Sequence, residues 1–136
     1  MSTANKALVC RFNKEVIEQC NRTAFEALVA EDFINRTTLS GNPEGRESLW
    51  HTFTQVLHPG LSALEVSVLD QVAEDDKVTT RKRITGVHSG ALLGIPATGR
   101  AVAIDVIDIV RIRNGQYVEH WGINSLGSVL AALRQA

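Results

Sequence analysis

The sequence predicts an α+β fold in one domain spanning residues 1–136, with helices first and a long antiparallel sheet second. Apolar residues recur at spacings of three and four before Gly60 and alternate with polar residues after it, so the period changes from helix to strand. Asn114-Gly115 is a strong hairpin signal, because a type I′ turn needs positive φ at both positions. A chain of this length buries roughly two-thirds of its unfolded surface, which is enough for a real core.

Three helices are predicted before Gly60 and one at the end of the sequence. The face of the first one consists of Leu8, Val9, Phe12, Val16, Ile17 and Cys20. A second, short helix runs through Val29 and starts with a capping box formed by Thr23 and Glu26. A third helix stops near Pro59-Gly60 and carries Leu49, Trp50, Phe53, Val56 and Leu57. Residues 37–45 are rich in turn-forming types and are predicted to be a loop, and a last helix covers 126–134.

Four strands are predicted, at 64–72, 78–88, 102–113 and 116–124. If Arg113 pairs with Gln116, Asp108 faces Trp121 across the last hairpin, and both lie on its more apolar side. That side is assigned to the concave interior and carries Ile104, Val106, Asp108, Val110, Ile112, Tyr117, Glu119, Trp121, Ile123 and Ser125. His120 then lies on the outer side. One bulge would reverse the upper half of this assignment.

The same sorting of faces predicts an apolar pocket with a few polar groups, namely Asp70, Lys82, His88, Asp108, Glu119 and Ser125. Each also has a structural interpretation. Asp70 and Lys82 can form a cross-strand ion pair, and Asp108 can be a buried structural carboxylate or a proton-transfer group. Desolvation is expected to raise the pKa of Asp108, which suits either role. For His88, a capping or packing role competes with a catalytic one.

Composition excludes several classes of protein. The net charge of −1 argues against nucleic acid or an anionic membrane as a partner. No apolar run approaches the ~20 residues of a membrane helix, and no signal segment is evident, so a cytoplasmic location is expected. Cys10 and Cys20 lie ~15 Å apart in one predicted helix, too far for a disulfide, and are expected to be buried thiols. The four histidines are scattered, so no metal site is predicted.

Segment 88–100 reads His-Ser-Gly-Ala-Leu-Leu-Gly-Ile-Pro-Ala-Thr-Gly-Arg. It resembles the His-x-Gly-x-x-x-Gly-Ile-Pro-x-Thr-Gly-Arg segment of SnoaL-like polyketide cyclases, which belong to the nuclear-transport-factor-2-like superfamily. The resemblance extends from Phe12 to Leu133 and includes Glu31-Asp32-Phe33, Gly45-Arg46-Glu47, Ile107-Asp108-Ile109 and Glu119-His120-Trp121. It implies a cone, in which a curved sheet wraps around helices and leaves an internal pocket.

The resemblance also implies an activity. Family members that act on polyketides close a ring by intramolecular aldol condensation, in which a carboxylate removes a proton alpha to a carbonyl and no metal or cofactor is required. The family's acid–base aspartate usually lies four residues after the Trp of the Glu-His-Trp segment, and Ser125 occupies that position here. The catalytic candidates are therefore Asp108 and His88, and the candidates for substrate binding are Trp121, Ser125, Glu119, Phe33 and Ile123.

Three functions remain open on the sequence. The first is a cyclase acting on a small apolar or polycyclic carbonyl compound. The second, motivated by Ser125, is a ligand-binding protein of the same fold without catalysis, and the third is a related isomerase, lyase or hydrolase. The predicted outer sheet side carries Ile109 and Val118 and is too apolar to be fully solvated, so a homodimer through the sheet is expected.

Overall fold

The computed structural model describes residues 2–135. Its helices are α1 (Ser2–Arg11), α2 (Arg22–Leu28), α3 (Arg46–His51), the short α4 (His58–Gly60) and α5 (Leu126–Leu133). Its strands are β1 (Val29–Asn35), β2 (Leu61–Glu74), β3 (Lys77–His88), β4 (Ala101–Arg113) and β5 (Gln116–Asn124). The predicted order of helices before a long antiparallel sheet is confirmed, and no helix of residues 2–135 is long and apolar enough to cross a bilayer.

The five strands form one sheet in the order β1-β5-β4-β3-β2. The pairs from β2 to β5 are antiparallel, and β1 runs parallel to β5 at the edge. The turn between β4 and β5 has positive φ at both Asn114 (52°) and Gly115 (71°), as the sequence predicted. One face of the sheet packs against the helices, and the core between them includes Phe12, Phe25, Phe33, Leu61, Val78 and Val110.

Strand β1 was missed in the sequence, which predicted the second helix to continue through Val29. Its burial does not alternate cleanly, because Val29 and Ala30 are both buried before two exposed acidic residues. Parallel pairing with β5 is a long-range contact that no local pattern reports. The start of α2 was also misassigned: the side chain of Asn21, rather than Thr23, caps this helix by accepting a hydrogen bond from Ala24 N at 3.1 Å.

The helices that face the sheet contain two wide-turned segments of π-helix. One, Phe12–Glu18, follows α1, and the other, Thr52–Leu57, joins α3 to α4. The first segment buries four of its seven residues, Phe12, Asn13, Val16 and Ile17. π-Helical turns are frequent at functional sites. Here the first segment carries the buried Asn13, whose side chain accepts a hydrogen bond from Lys82 of the sheet. The cysteines differ from the prediction, since Cys10 is exposed and Cys20 is partly exposed just beyond the helix.

A β-bulge changes the register of the last hairpin. Arg113 pairs with Gln116 and Ile112 with Tyr117, but from Arg111 onward each β4 residue pairs one position further along β5. The predicted pairing of Asp108 with Trp121 is therefore wrong, because Asp108 lies opposite Gly122. Beyond the bulge the faces of β5 are exchanged. His120 and Asn124 face the interior, whereas Glu119, Trp121 and Ile123 belong to the outer face.

A second irregularity, between Val68 and Asp70 of β2, corrects another prediction. It turns Asp70 and Val72 outward, where Val72 is 67% exposed. Asp70 lies opposite Arg81 rather than Lys82. The predicted ion pair between Asp70 and Lys82 therefore does not form, and the Lys82 side chain is buried instead.

The loop between β3 and β4 closes around His88, which is fully buried. Its Nδ1 lies 2.9 Å from Thr98 Oγ1 and accepts a hydrogen bond from Thr98 N at 3.3 Å, while Nε2 lies 3.2 Å from the carbonyl oxygen of Ile95. Because Nδ1 accepts, Nε2 carries the proton and donates to that carbonyl. The loop also packs closely on α4, since a Cβ on Gly90 would lie 2.0 Å from Pro59 O.

Candidate functional site

A cavity of about 210 Å³ lies between the concave face of the sheet and the helices. Aromatic side chains from both layers form part of its wall: Phe12 from the first π-helical segment, Phe53 from the second and Phe33 from β1. Leu39, which is 63% exposed, also borders it, so the loop after β1 contributes to its rim. The apolar wall encloses a small set of polar groups, the usual composition of a small-molecule site.

Asp108 on β4 is the centre of these polar groups and is 95% buried, with 5% of its surface exposed. Its Oδ2 lies 3.2 Å from Lys82 Nζ and 3.3 Å from His120 Nε2. Neighbouring antiparallel strands supply both partners, β3 on one side and β5 on the other. Its Oδ1 is buried and has no hydrogen-bond partner among residues 2–135. The carboxylate thus has one saturated oxygen and one free oxygen.

Lys82 is held from the helical layer as well as from the sheet. Its Nζ donates to Asn13 Oδ1 at 2.7 Å, and Asn13 Nδ2 in turn donates to the carbonyl oxygen of Val9 at 2.8 Å. The lysine side chain is only 5% exposed. Burying an ammonium group is costly unless it is paired and hydrogen-bonded, and Asp108 with Asn13 meets that requirement.

His120 is oriented from its other ring nitrogen. Its Nδ1 lies 2.8 Å from Asn35 Oδ1, which also accepts a hydrogen bond from Thr37 N at 3.1 Å. That backbone donor identifies the Asn35 atom as the oxygen. His120 therefore faces an oxygen atom at each ring nitrogen, Asn35 Oδ1 at Nδ1 and Asp108 Oδ2 at Nε2.

The electrostatics of the cluster keep Asp108 ionised. Desolvation raises the pKa of this carboxyl, but attraction to Lys82 and the hydrogen bond from His120 outweigh it, so the pKa of Asp108 lies below its ordinary value. Tyr117 also lines the cavity, and burial raises the pKa of its phenol well above its ordinary value. Its ring stacks on Phe12 with centroids 4.2 Å apart, so this wall is rigid and uncharged at neutral pH.

The structure brings together only part of the predicted site. Asp108 and Phe33 border the cavity. His88 is enclosed by its own loop, and Ser125 precedes α5, with its Oγ accepting from Asp105 N at 2.9 Å. Glu119 binds Arg36 at 2.8 Å and Arg111 at 3.1 Å on the outer face, Trp121 lies beneath the Arg111 guanidinium, and Ile123 is 72% exposed.

Sequence reasoning missed the roles of Asn13, Asn35 and His120. Asn13 is a polar residue beside Phe12 within an otherwise apolar helical face, and this was a usable signal. His120 was placed on the outer side by a register without a bulge. In residues 2–135 no group of three or more His, Cys, Asp or Glu side chains is arranged to hold a metal ion.

The comparisons with known proteins agree with this architecture. The family model for SnoaL-like polyketide cyclase matches residues 7–135. No curated protein matches the sequence significantly. Among solved structures, a candidate SnoaL-like polyketide cyclase from Jannaschia sp. CCS1 is 27% identical with a TM-score of 0.86, and the alignment covers 99% of this chain and 94% of that one.

Two Streptomyces structures share the fold at lower identity. IdmH from Streptomyces antibioticus, a candidate polyketide cyclase, is 24% identical with a TM-score of 0.82, covering 95% of this chain and 97% of that one. AclR from Streptomyces galilaeus, a candidate hydroxylase, is 21% identical with a TM-score of 0.84, covering 98% and 97%. The different activities named for these two show that the fold alone does not decide the reaction. The family match over nearly the whole sequence places the chain in the SnoaL-like polyketide cyclase family.

Proposed function

We propose that this protein closes a ring in an apolar carbonyl compound by intramolecular aldol condensation, with Asp108 as the acid–base group. The observation that supports the proposal is the state of that carboxylate. It is buried in the cavity wall, Lys82 and His120 hold one of its oxygens, and the other oxygen has no partner within residues 2–135. A general base needs a free, ionised oxygen, and the buried Oδ1 would have to become exposed to the cavity as the substrate binds.

The proposed reaction transfers one proton out and one proton back. Asp108 Oδ1 removes a proton from the carbon alpha to one carbonyl, and the electron pair of that C–H bond enters the enolate. The enolate carbon then attacks a second carbonyl carbon of the same molecule, which forms the C–C bond and leaves an alkoxide. The alkoxide takes the proton back from Asp108, so the group returns to its starting state and no cofactor is consumed.

Lys82 and His120 beside Asp108 have a defined role in this scheme. The negative charge that leaves the carboxylate when it is protonated develops on the substrate oxygen. The Lys82 ammonium and the His120 ring N–H lie in a poorly solvated site, where a fixed charge and an oriented donor stabilise a developing oxyanion more strongly than in water. Phe33 and the other apolar side chains of the wall would hold the carbon skeleton and exclude water.

Turnover of a synthetic 1,5-diketone carrying one aromatic ring, followed by mass spectrometry and NMR, tests the proposal. Asp108→Asn should lower the ring-closure rate by ~10²–10⁴-fold, the usual contribution of a placed acid–base group. Asp105→Asn is the matched control, because Asp105 lies on the same strand but on the outer face, where it binds Arg83 at 2.8 Å. Equal rates in wild type and Asp108→Asn would reject Asp108 as the base.

A second candidate function is ligand binding without turnover. The lowered pKa of Asp108 favours it, because a carboxylate stabilised by the Lys82 charge and by a hydrogen bond from His120 is a weak base. Ser125, at the position of the family's usual aspartate, lies outside the cavity wall, and its backbone N and side-chain Oγ both bond to Asp105. Ligand binding without ring closure in the wild type, and in Ser125→Asp as well, would establish the binding function.

We further propose that the chain forms a homodimer through the outer face of the sheet. Ile107 pairs with Ile123 and Ile109 with Trp121 across the outer face of β4 and β5, and the three isoleucines are 44%, 72% and 37% exposed in that order. Since these side chains are contiguous, a second copy of the same face is a suitable partner. Light scattering at micromolar concentration should give about twice the mass of 14.8 kDa, and a monomer would reject the proposal.

A further inference from the structure

We propose that the natural ligand is a compact molecule of one or two fused rings whose hydroxyl group donates a hydrogen bond to Asp108 Oδ1. This inference deepens the proposed function and rests on the same cavity, and the hydroxyl is the one that the alkoxide becomes when it takes its proton back from Asp108 Oδ1. It concerns what the site binds rather than the reaction, so binding tests it separately from turnover. Two observations support it: the free oxygen of the buried carboxylate and the size of the cavity.

The free oxygen determines the polarity of the ligand. A buried carboxylate oxygen without a partner costs free energy, so native structures generally provide it with a donor, either water or a ligand group. Oδ2 already has Lys82 and His120, and Oδ1 has none among residues 2–135. A ligand group at this point must therefore donate. An ether or carbonyl oxygen would place a second acceptor against the carboxylate.

The neighbouring charges restrict the type of donor. Lys82 Nζ lies 3.2 Å from Oδ2 of the same carboxylate, and His120 lies 3.3 Å from it on the other side. An ammonium group brought to Oδ1 would be repelled by the Lys82 ammonium at short range in a poorly solvated site. A neutral hydroxyl donates without adding positive charge, so a phenol, enol or alcohol suits the site better than an amine.

The volume and packing of the cavity determine the size of the ligand. Its volume of about 210 Å³ is below the ~300–1,000 Å³ that is usual for drug-sized ligands. The wall resists expansion, because the Phe12 ring stacks on Tyr117 at 4.2 Å and meets Phe53 edge to face at 6.0 Å. A molecule of four fused rings would have to separate these contacts or extend past the Leu39 rim into solvent. The structure thus favours the small ligand over the polycyclic one that the sequence left open.

Equilibrium binding of three probes, measured by calorimetry, tests the inference on the wild-type protein. These are 2-naphthol, its methyl ether 2-methoxynaphthalene, and the four-ring 1-hydroxypyrene. Naphthol should bind about tenfold more tightly than the ether. Its hydroxyl can donate to Asp108 Oδ1 in place of a displaced water, whereas the ether has no proton to donate. Hydroxypyrene should bind at least tenfold more weakly than naphthol. Equal affinities for naphthol and the ether, tight binding of hydroxypyrene, or no binding of naphthol would overturn the inference.

The Asp108→Asn variant sharpens the test. Its amide oxygen should turn toward Lys82 and His120, which both donate, leaving the NH₂ group toward the cavity. The preference for naphthol over its ether should then disappear or reverse. Asp105→Asn, on the outer face, should keep the preference of the wild type. Retention of the full preference in Asp108→Asn would place the hydroxyl elsewhere. If the preference for the hydroxyl holds in the wild type but no ring closure occurs, the proposed reaction fails while this inference stands.

Discussion

His120 Nε2 lies 3.3 Å from Asp108 Oδ2, and one β-bulge in β5 is the reason that these two side chains share the interior. Without the bulge, the strand period of two would place His120 on the outer face and Trp121 in its position. Bulges frequently re-aim side chains next to active sites, and this one determines which residues of the Glu-His-Trp segment face the cavity. The most direct tests of the site therefore change the residues that set or occupy this contact.

Gly122 provides the space for the contact between His120 and Asp108. A Cβ at this position would lie 3.1 Å from His120 Cε1 and 3.2 Å from Asp108 Cβ. Gly122→Ala should displace the His120 ring and weaken 2-naphthol binding at least tenfold. Gly127→Ala in α5 is the control, because a Cβ there meets nothing within 4 Å and should leave binding unchanged. An unchanged affinity for 2-naphthol in Gly122→Ala would contradict this role.

Lys82→Met should strongly destabilise the fold. It leaves the buried Asp108 carboxylate with His120 as its remaining hydrogen-bond partner, and breaking a buried pair typically costs ~3–5 kcal/mol. Arg83→Met, one residue along β3, removes an exposed pair with Asp105 and should cost at most ~1 kcal/mol. Urea unfolding measures both. Similar losses of unfolding free energy in Lys82→Met and Arg83→Met would show that the buried pair contributes no more than the exposed one. The double variant Lys82→Met/Asp108→Asn should lose less unfolding free energy than the sum of the two single losses.

His88→Leu should destabilise the protein without altering the intrinsic affinity of the cavity. The substitution removes the partner of Thr98 N, in an exposed residue, and of the buried Ile95 carbonyl oxygen, and the buried carbonyl alone should cost roughly 1–3 kcal/mol. His51→Leu, at an exposed position of α3, should change stability by less than about 0.5 kcal/mol. Full stability in His88→Leu together with lost ring closure would instead support the catalytic role predicted from the sequence.

Trp121→Ala should weaken self-association and leave ligand binding intact. The side chain lies on the outer face, with the Arg111 guanidinium 6.0 Å from the ring centroid, so a loss of about 1 kcal/mol in stability is expected. Phe33→Ala provides the contrast, because Phe33 is 1% exposed and borders the cavity, and its truncation should cost ~3–5 kcal/mol. Loss of naphthol affinity in Trp121→Ala would place the indole in the cavity after all.

Asp108 should also contribute a pH-dependent part of the stability. Its native pKa lies below the unfolded value of 3.8, so its contribution is present above pH 3.8 and is lost as the pH falls through the lower native pKa. Urea unfolding of the wild type and of Asp108→Asn between pH 2 and pH 6 measures it. The difference in unfolding free energy between the two should narrow below pH 3.8. A constant difference would contradict the lowered pKa.

The sequence by itself determined the elements that depend on local pattern and turn chemistry. The two periods located the helices and β2 to β5, and Asn114-Gly115 placed the last turn, because each signal is carried by neighbouring residues. The 88–100 segment and the scattered family motifs identified the family, which the match over residues 7–135 confirms. The lower half of the last hairpin, up to Tyr117, was also assigned to the correct face.

Only the tertiary structure decided which polar residues meet. A bulge changes the face of every later residue in a strand, yet Val118 has no local feature that marks it as the extra residue. The contacts of Lys82 with Asn13 and of His120 with Asn35 join residues 69 and 85 positions apart, which no spacing rule connects. The buried charge of Asp108 is paired with Lys82 and His120, because an unpaired ion in an apolar cavity is costly. That cost arises only after the chain has folded.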